Sequence, residues 1–133
     1  VMGAQLAALA EGVALAERAG LTADDLVTVL TEGAMASPMV KLKGKAMAAR
    51  AYPPAFPLKH AQKDLRFALG LADDLGLGLP VSAAANELYK RAKGEGFSDA
   101  DFAAVAEAYA RGYRAHPKTA PGDESAESVE ATG

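Results

Sequence analysis

Apolar and polar positions along this chain recur with the period of a helix. Met2, Leu6, Leu9, Val13 and Ala16 fall on one stripe over residues 1–19, with alanines filling most of the other positions. A helix apolar nearly all round is a membrane span or a buried central helix. Glu11 at its middle and the small side chains argue against the membrane, so residues 1–19 are expected to lie in a core or a subunit interface. Gly20 suits the position just past the helix end. Thr22 is a candidate N-cap, with Asp24 and Asp25 complementing the dipole of a second helix. Leu26, Val29 and Leu30 give that helix an apolar face up to Gly33. Ser37-Pro38 reads as a cap with proline at the first helical position and opens a third helix to about Arg50.

Pro53, Pro54 and Pro57 break the chain before a fourth helix over Leu58 to about Leu75. Leu58, Ala61, Leu65, Ala68, Leu69 and Ala72 share its inner stripe. The opposite stripe holds His60, Lys63, Phe67 and Leu71, where a solvated helix carries polar groups alone, so that face is expected to be covered by something outside the chain. Gly76-Leu77-Gly78-Leu79-Pro80 loosely matches a phosphate loop, but Val81 stands where the third glycine belongs and no strand precedes it; it reads as a stop and a proline-led restart. The fifth helix runs over Val81–Lys93 with Ala84, Leu88 and Ala92 on one face, and Gly94 and Gly96 end it. On it Asn86, Tyr89 and Lys90 can reach a ligand or make surface and interhelical bonds. Ser98-x-x-Asp101 has the form of a capping box. It precedes a last helix, with Phe102, Val105, Ala106 and Tyr109 inward, that runs to about Gly112. No segment alternates with period two, so the predicted class is all-α with about six helices.

Composition adds limits. The 133 residues suffice for one modest core, and half are hydrophobic, much of that alanine. From His116 on, Pro, Gly, Ser, Thr and Glu dominate, which predicts a helical domain over 1–112 and a disordered polar tail over 113–133. A net charge of −3 gives no reason to expect nucleic acid. Cysteine is absent and the two histidines, His60 and His116, lack metal-ligand spacing, so no metal site is expected. The chain opens on Val1 without a signal-type segment and reads as a piece of a longer, cytoplasmic protein.

Little of the usual catalytic chemistry is present. Ser37, Ser82 and Ser98 all sit at helix starts, where capping accounts for them. Lys41, Lys43 and Lys45 form either a solvated face or an anion site. The group best suited to chemistry is Phe56 with Lys63 and Asp64. Lys63 sits early in a helix, against the dipole, so its charge pairs with Asp64 or another acid, or meets an anionic or carbonyl-bearing ligand.

The run Pro54-Ala55-Phe56-Pro57-Leu58-Lys59-His60, followed by Lys63-Asp64-Leu65, resembles the C-terminal domain of the β-hydroxyacid dehydrogenases. Glu11-Gly12, Ala16 to Leu21, Asn86 to Lys90 and Asp101-Phe102 extend the resemblance over about residues 1–110. It is strongest toward the glyoxylate and succinic semialdehyde reductase branch, with 3-hydroxyisobutyrate dehydrogenases as relatives. The resemblance implies a 6-phosphogluconate-dehydrogenase-like two-domain enzyme whose N-terminal Rossmann domain, not in this chain, binds most of an NADP or NAD cofactor. It implies a small hydroxy acid or aldehyde as substrate, and a homo-oligomer without nucleic-acid or membrane partners. Lys63 would contact the cofactor near the nicotinamide, and Phe56 and Asp64 would line the active site. The family's catalytic lysine would fall just before Val1, so no residue here takes that role. The alternative is a helical oligomerisation module without chemistry, as in family members that have lost that lysine.

Overall fold

Capping groups divide the chain where the sequence places the breaks. The computed structural model describes residues 1–110; Gly112, His116 and the 113–133 tail lie outside the described residues. The helices are α1 (Met2–Arg18), α2 (Ala23–Glu32), α3 (Pro38–Ala49), α4 (Leu58–Asp74) and α5 (Pro80–Ala92). A π turn over Lys93–Phe97 and a 3₁₀ helix over Phe102–Tyr109 complete the described part. Gly20, at φ 87°, takes the left-handed turn after α1 that a side chain would resist. Thr22 caps α2: its hydroxyl accepts from Asp25 N at 3.0 Å while the Asp25 carboxylate accepts from Thr22 N. The Ser37 hydroxyl accepts from Val40 N at 3.1 Å, and Pro38 opens α3.

The bundle is built around α1, which packs on every other α-helix and on the 3₁₀ helix. Leu6, Leu9, Ala10 and Val13 are buried against Leu58, Leu65, Ala85, Tyr89 and Val105. Alanine at most inner positions lets the helices approach closely. Glu11 and Leu15 stay exposed on the outer side of α1. Among the described residues no strand forms; one isolated bridge joins Pro57 and Asp101.

Several sequence expectations are corrected. The 98–101 segment is not a capping box opening an α-helix. Residues 98–100 form a turn, and Asp101 itself caps the final element by accepting from Ala103 N at 3.0 Å. That element is 3₁₀ rather than α, unusually long for its type. It is buried on every side from Phe102 to Ala106, where its small side chains leave room for a tight coil. On α5 the inner face is Ala85, Tyr89 and Ala92, because α5 lies between α1, α4 and the 3₁₀ helix; Ala84 is exposed. On α2 the buried positions are Ala23 and Val27, of which Val27 meets Gly44 of α3, and Val29 is exposed. Ala68 of the α4 stripe is exposed too.

Candidate functional site

The segment from Tyr52 to Pro57 has no ladder of its own, and the start of the 3₁₀ helix supplies its hydrogen bonds. Asp101 N donates to Tyr52 O at 3.1 Å, and Phe102 N to Phe56 O at 2.8 Å. The Asp101 carboxylate accepts from Phe56 N at 3.2 Å and from Ala55 N at 3.4 Å. Leu58 N and Lys59 N, two of the donors an α-helix leaves unpaired at its start, go to Ala100 O and Ser98 O. His60 N and Ala61 N return to Pro57 O. The α4 N-terminus is therefore not an open anion cradle; charge at this corner comes from side chains.

The lysine row of α3 splits. Lys41 and Lys45 are exposed, but Lys43 is neither a solvated lysine nor an anion site. It is buried and donates to both Asp101 oxygens, at 2.9 and 2.8 Å. Its position explains this: Val40, Lys43, Gly44 and Met47 form the buried face of α3. Asp101 is 2% exposed. Burial pushes its carboxyl up, but Lys43 and the Ala103 and Phe56 amides outweigh that and hold it below the usual carboxylate value. Lys43 also lies 5.0 Å from the centre of the Phe102 ring.

The Phe102 ring carries the geometry on to Phe56. Their centroids are 5.4 Å apart, edge to face, and His60 tilts against Phe56 at 6.2 Å. Phe56 is still 37% exposed. It forms the wall of a hollow of about 200 Å³ that opens beside the start of α1, where Val1, Met2, Asp64, Ser82 and Phe102 also line it. The structure thus brings Phe56 and Asp64 into one hollow. Lys63 points along the adjoining face: its ammonium meets Asp64 at 3.3 Å and the Phe67 ring at 5.5 Å and stays half exposed. Asn86 makes the interhelical bond, accepting from Gln62 Nε2 at 3.0 Å; Tyr89 is wholly buried, and Lys90 pairs with Glu87 on the surface.

Sequence reasoning missed Lys43, Asp101 and Phe102 as parts of this corner. Lys43 could have been found by its spacing, since it falls in register with Val40 and Met47 on the stripe that must face the core. Nothing local to Asp101 marks it as a partner 58 residues from Lys43. Among the described residues no group of three or more His, Cys, Asp or Glu side chains could hold a metal ion. No described helix is long and apolar enough to cross a membrane.

Residues 1–109 match the sequence family described as NAD-binding of NADP-dependent 3-hydroxyisobutyrate dehydrogenase. The chain belongs to this 3-hydroxyisobutyrate dehydrogenase family. It is 53% identical over 108 residues to glyoxylate/succinic semialdehyde reductase 2, chloroplastic, of Arabidopsis thaliana, and 51% identical over 108 residues to reductase 1 of the same plant. Those matches cover 81% of this chain but 30% and 37% of the two reductases, so the chain spans about a third of their length. It is also 47% identical over 105 residues to the cytokine-like nuclear factor N-PAC of Aedes aegypti, covering 79% of this chain and 19% of that protein. The solved 3-hydroxyisobutyrate dehydrogenase of Salmonella typhimurium superposes with a TM-score of 0.75 at 30% identity, over 80% of this chain and 37% of that one. The Mycobacterium tuberculosis enzyme solved with L-serine gives 0.70 at 27% identity, over 80% and 39%. The all-α architecture is thus the helical domain of this dehydrogenase family.

Proposed function

We propose that this chain is the helical domain of an NAD(P)-dependent β-hydroxyacid dehydrogenase that reduces a small aldehyde of the glyoxylate or succinic semialdehyde type. The observation that carries the reading is identity above one half to two such reductases, against 30% or less to the solved 3-hydroxyisobutyrate dehydrogenases. In this reading the hollow beside α1 takes the substrate end of the site. Phe56 supplies an apolar wall that excludes water, and Asp64 a carboxylate at its rim. Lys63 meets the cofactor beside the nicotinamide. The residues present fit such a group, because the half-exposed Lys63 ammonium, paired at 3.3 Å with the exposed Asp64, can turn to a negative or carbonyl oxygen while the α4 backbone donors are taken. Bound there, the nicotinamide supplies the hydride, with NADP or NAD held mainly by a Rossmann domain outside this chain. The proton for the carbonyl oxygen comes from a group outside the described residues. The family resemblance puts a lysine just before Val1, and Val1 lines the same hollow. Residues 1–112 act in this reading as one domain that also joins subunits, and 113–133 as a polar tail.

The test is NADPH oxidation by the full-length protein with glyoxylate and with succinic semialdehyde. Turnover is expected, and Lys63→Ala is expected to raise the KM for NADPH about ten- to a hundredfold. No turnover with either substrate or cofactor would sink the enzyme reading. It would favour a helical interaction module, the reading that similarity to a nuclear factor supports.

A further inference from the structure

We infer that the buried Lys43–Asp101 pair is a positioning clamp for the substrate wall, and this rests on the function proposed above. Neither residue lines the hollow or reaches solvent, so neither is a catalytic residue. Their effect runs through Phe56. Asp101 holds the 52–57 segment from both of its parts. Its backbone N–H donates to Tyr52 O, and its carboxylate accepts the Ala55 and Phe56 amides. The next residue, Phe102, donates its N–H to Phe56 O and meets the Phe56 ring edge to face. Lys43 fixes the carboxylate itself by donating to both oxygens. The far end of the segment is pinned to the same 3₁₀ helix. The Tyr52 hydroxyl donates to Glu107 at 2.6 Å, and Arg50 donates to Glu107 and Glu17, each at 3.0 Å. The 3₁₀ helix is thus a template against which the loop carrying Phe56 takes its shape.

A pair that served stability alone would be an inefficient choice. A buried ion pair can often be replaced by well-packed apolar side chains without loss of stability, because desolvation offsets most of its attraction. What apolar side chains cannot reproduce is the acceptor for the Ala55 and Phe56 amides. The substitution Lys43→Met with Asp101→Leu therefore separates the two roles.

In the full-length protein this double variant is expected to melt within about 8 °C of wild type. The Ala55 and Phe56 amides should exchange with deuterium about tenfold faster, while the α1 core amides of Leu6 and Leu9 stay protected. The KM for the aldehyde should rise about tenfold with little change in kcat or in the KM for NADPH, because the wall moves and Lys63 does not. Unchanged exchange at Ala55 and Phe56 would overturn the clamp, as would released amides with an unchanged aldehyde KM. Should the double variant fail to fold, Asp101→Asn serves in its place. A single amide oxygen can serve Ala103 or the Phe56 side but not both, so one set of amides must lose protection, and retention of both overturns the clamp. Wild-type protein inert toward every substrate overturns the enzyme reading and the positioning role with it. The exchange rates then still decide whether the pair holds the loop.

Discussion

Asp101 couples burial, charge and backbone geometry at one position, and its substitution should be read against its partner. Lys43→Met alone leaves a buried carboxylate without its cation and is expected to cost about 3–5 kcal/mol, measured as a shift in the urea midpoint. The same carboxylate sets a pH dependence. Its folded pKa lies below the ordinary 3.8. Its contribution is therefore complete above the unfolded value, about 3.9, and is lost as pH falls through the lower folded value. Urea midpoints at successive pH values below about 4 should fall steeply for wild type and less steeply for Asp101→Asn. Tyr89 behaves oppositely. Its ring fills the core, but its hydroxyl is buried with no hydrogen-bond partner among the described residues. Burial, with the nearby Asp101 charge, pushes that hydroxyl pKa well up, so it stays neutral. Tyr89→Phe is expected to leave the melting temperature unchanged or raise it by a few degrees, as much as about 1 kcal/mol. A clear fall would mean that the hydroxyl has a partner after all.

Two glycines inside helices separate packing from propensity. A Cβ on Gly44 of α3 would stand 3.0 Å from both Val27 methyl carbons of α2. Gly44→Ala must push the two helices apart, and the overpacking, about 1–3 kcal/mol, exceeds the helix-propensity gain of about 1 kcal/mol. Gly70 of α4 has nothing within 4 Å, so Gly70→Ala is expected to stabilise by about 0.5–1 kcal/mol. Thermal melts of the two variants should move in opposite directions. The helices themselves were legible from caps and periodicity: Thr22, Ser37-Pro38 and Pro80 mark real starts because each acts on backbone groups within one turn. The rotation of α5 and the 3₁₀ form of the last element were not legible. Both are set by what surrounds the element: α5 turns Tyr89 inward because three neighbours bury it, and 102–109 tightens because alanine faces a partner on every side. At the site, Phe56 and Asp64 could be singled out because the chemistry lies within one short run. Lys43 and Asp101 meet only through the fold, and a lysine row reads as solvated until its register against the core is counted.

At the scale of the molecule the outer face of α4 is the unresolved demand. Phe67 is 60% and Leu71 61% exposed, and Leu75 continues the row one turn on. The Lys63 ammonium and the Arg66 guanidinium lie 5.5 and 5.6 Å from the centre of the Phe67 ring. A row of this kind costs free energy in water and offers an adjoining domain or subunit a large apolar contact. The chain spans about a third of the length of its reductase relatives, and in the function proposed above the remainder of the enzyme covers this face. These 133 residues contain no cysteine, so a maleimide on an introduced one is read by mass on the peptide that carries it. Leu71→Cys in the full-length protein should react with a maleimide at least about tenfold more slowly than the same variant in urea, because the face is covered. Val29→Cys, at a similarly exposed site on α2, gives the comparison for a side chain away from α4. If Leu71→Cys reacts at the unfolded rate, the apolar row faces water in the intact protein, and Lys63 beside it has no neighbouring surface with which to enclose a cofactor.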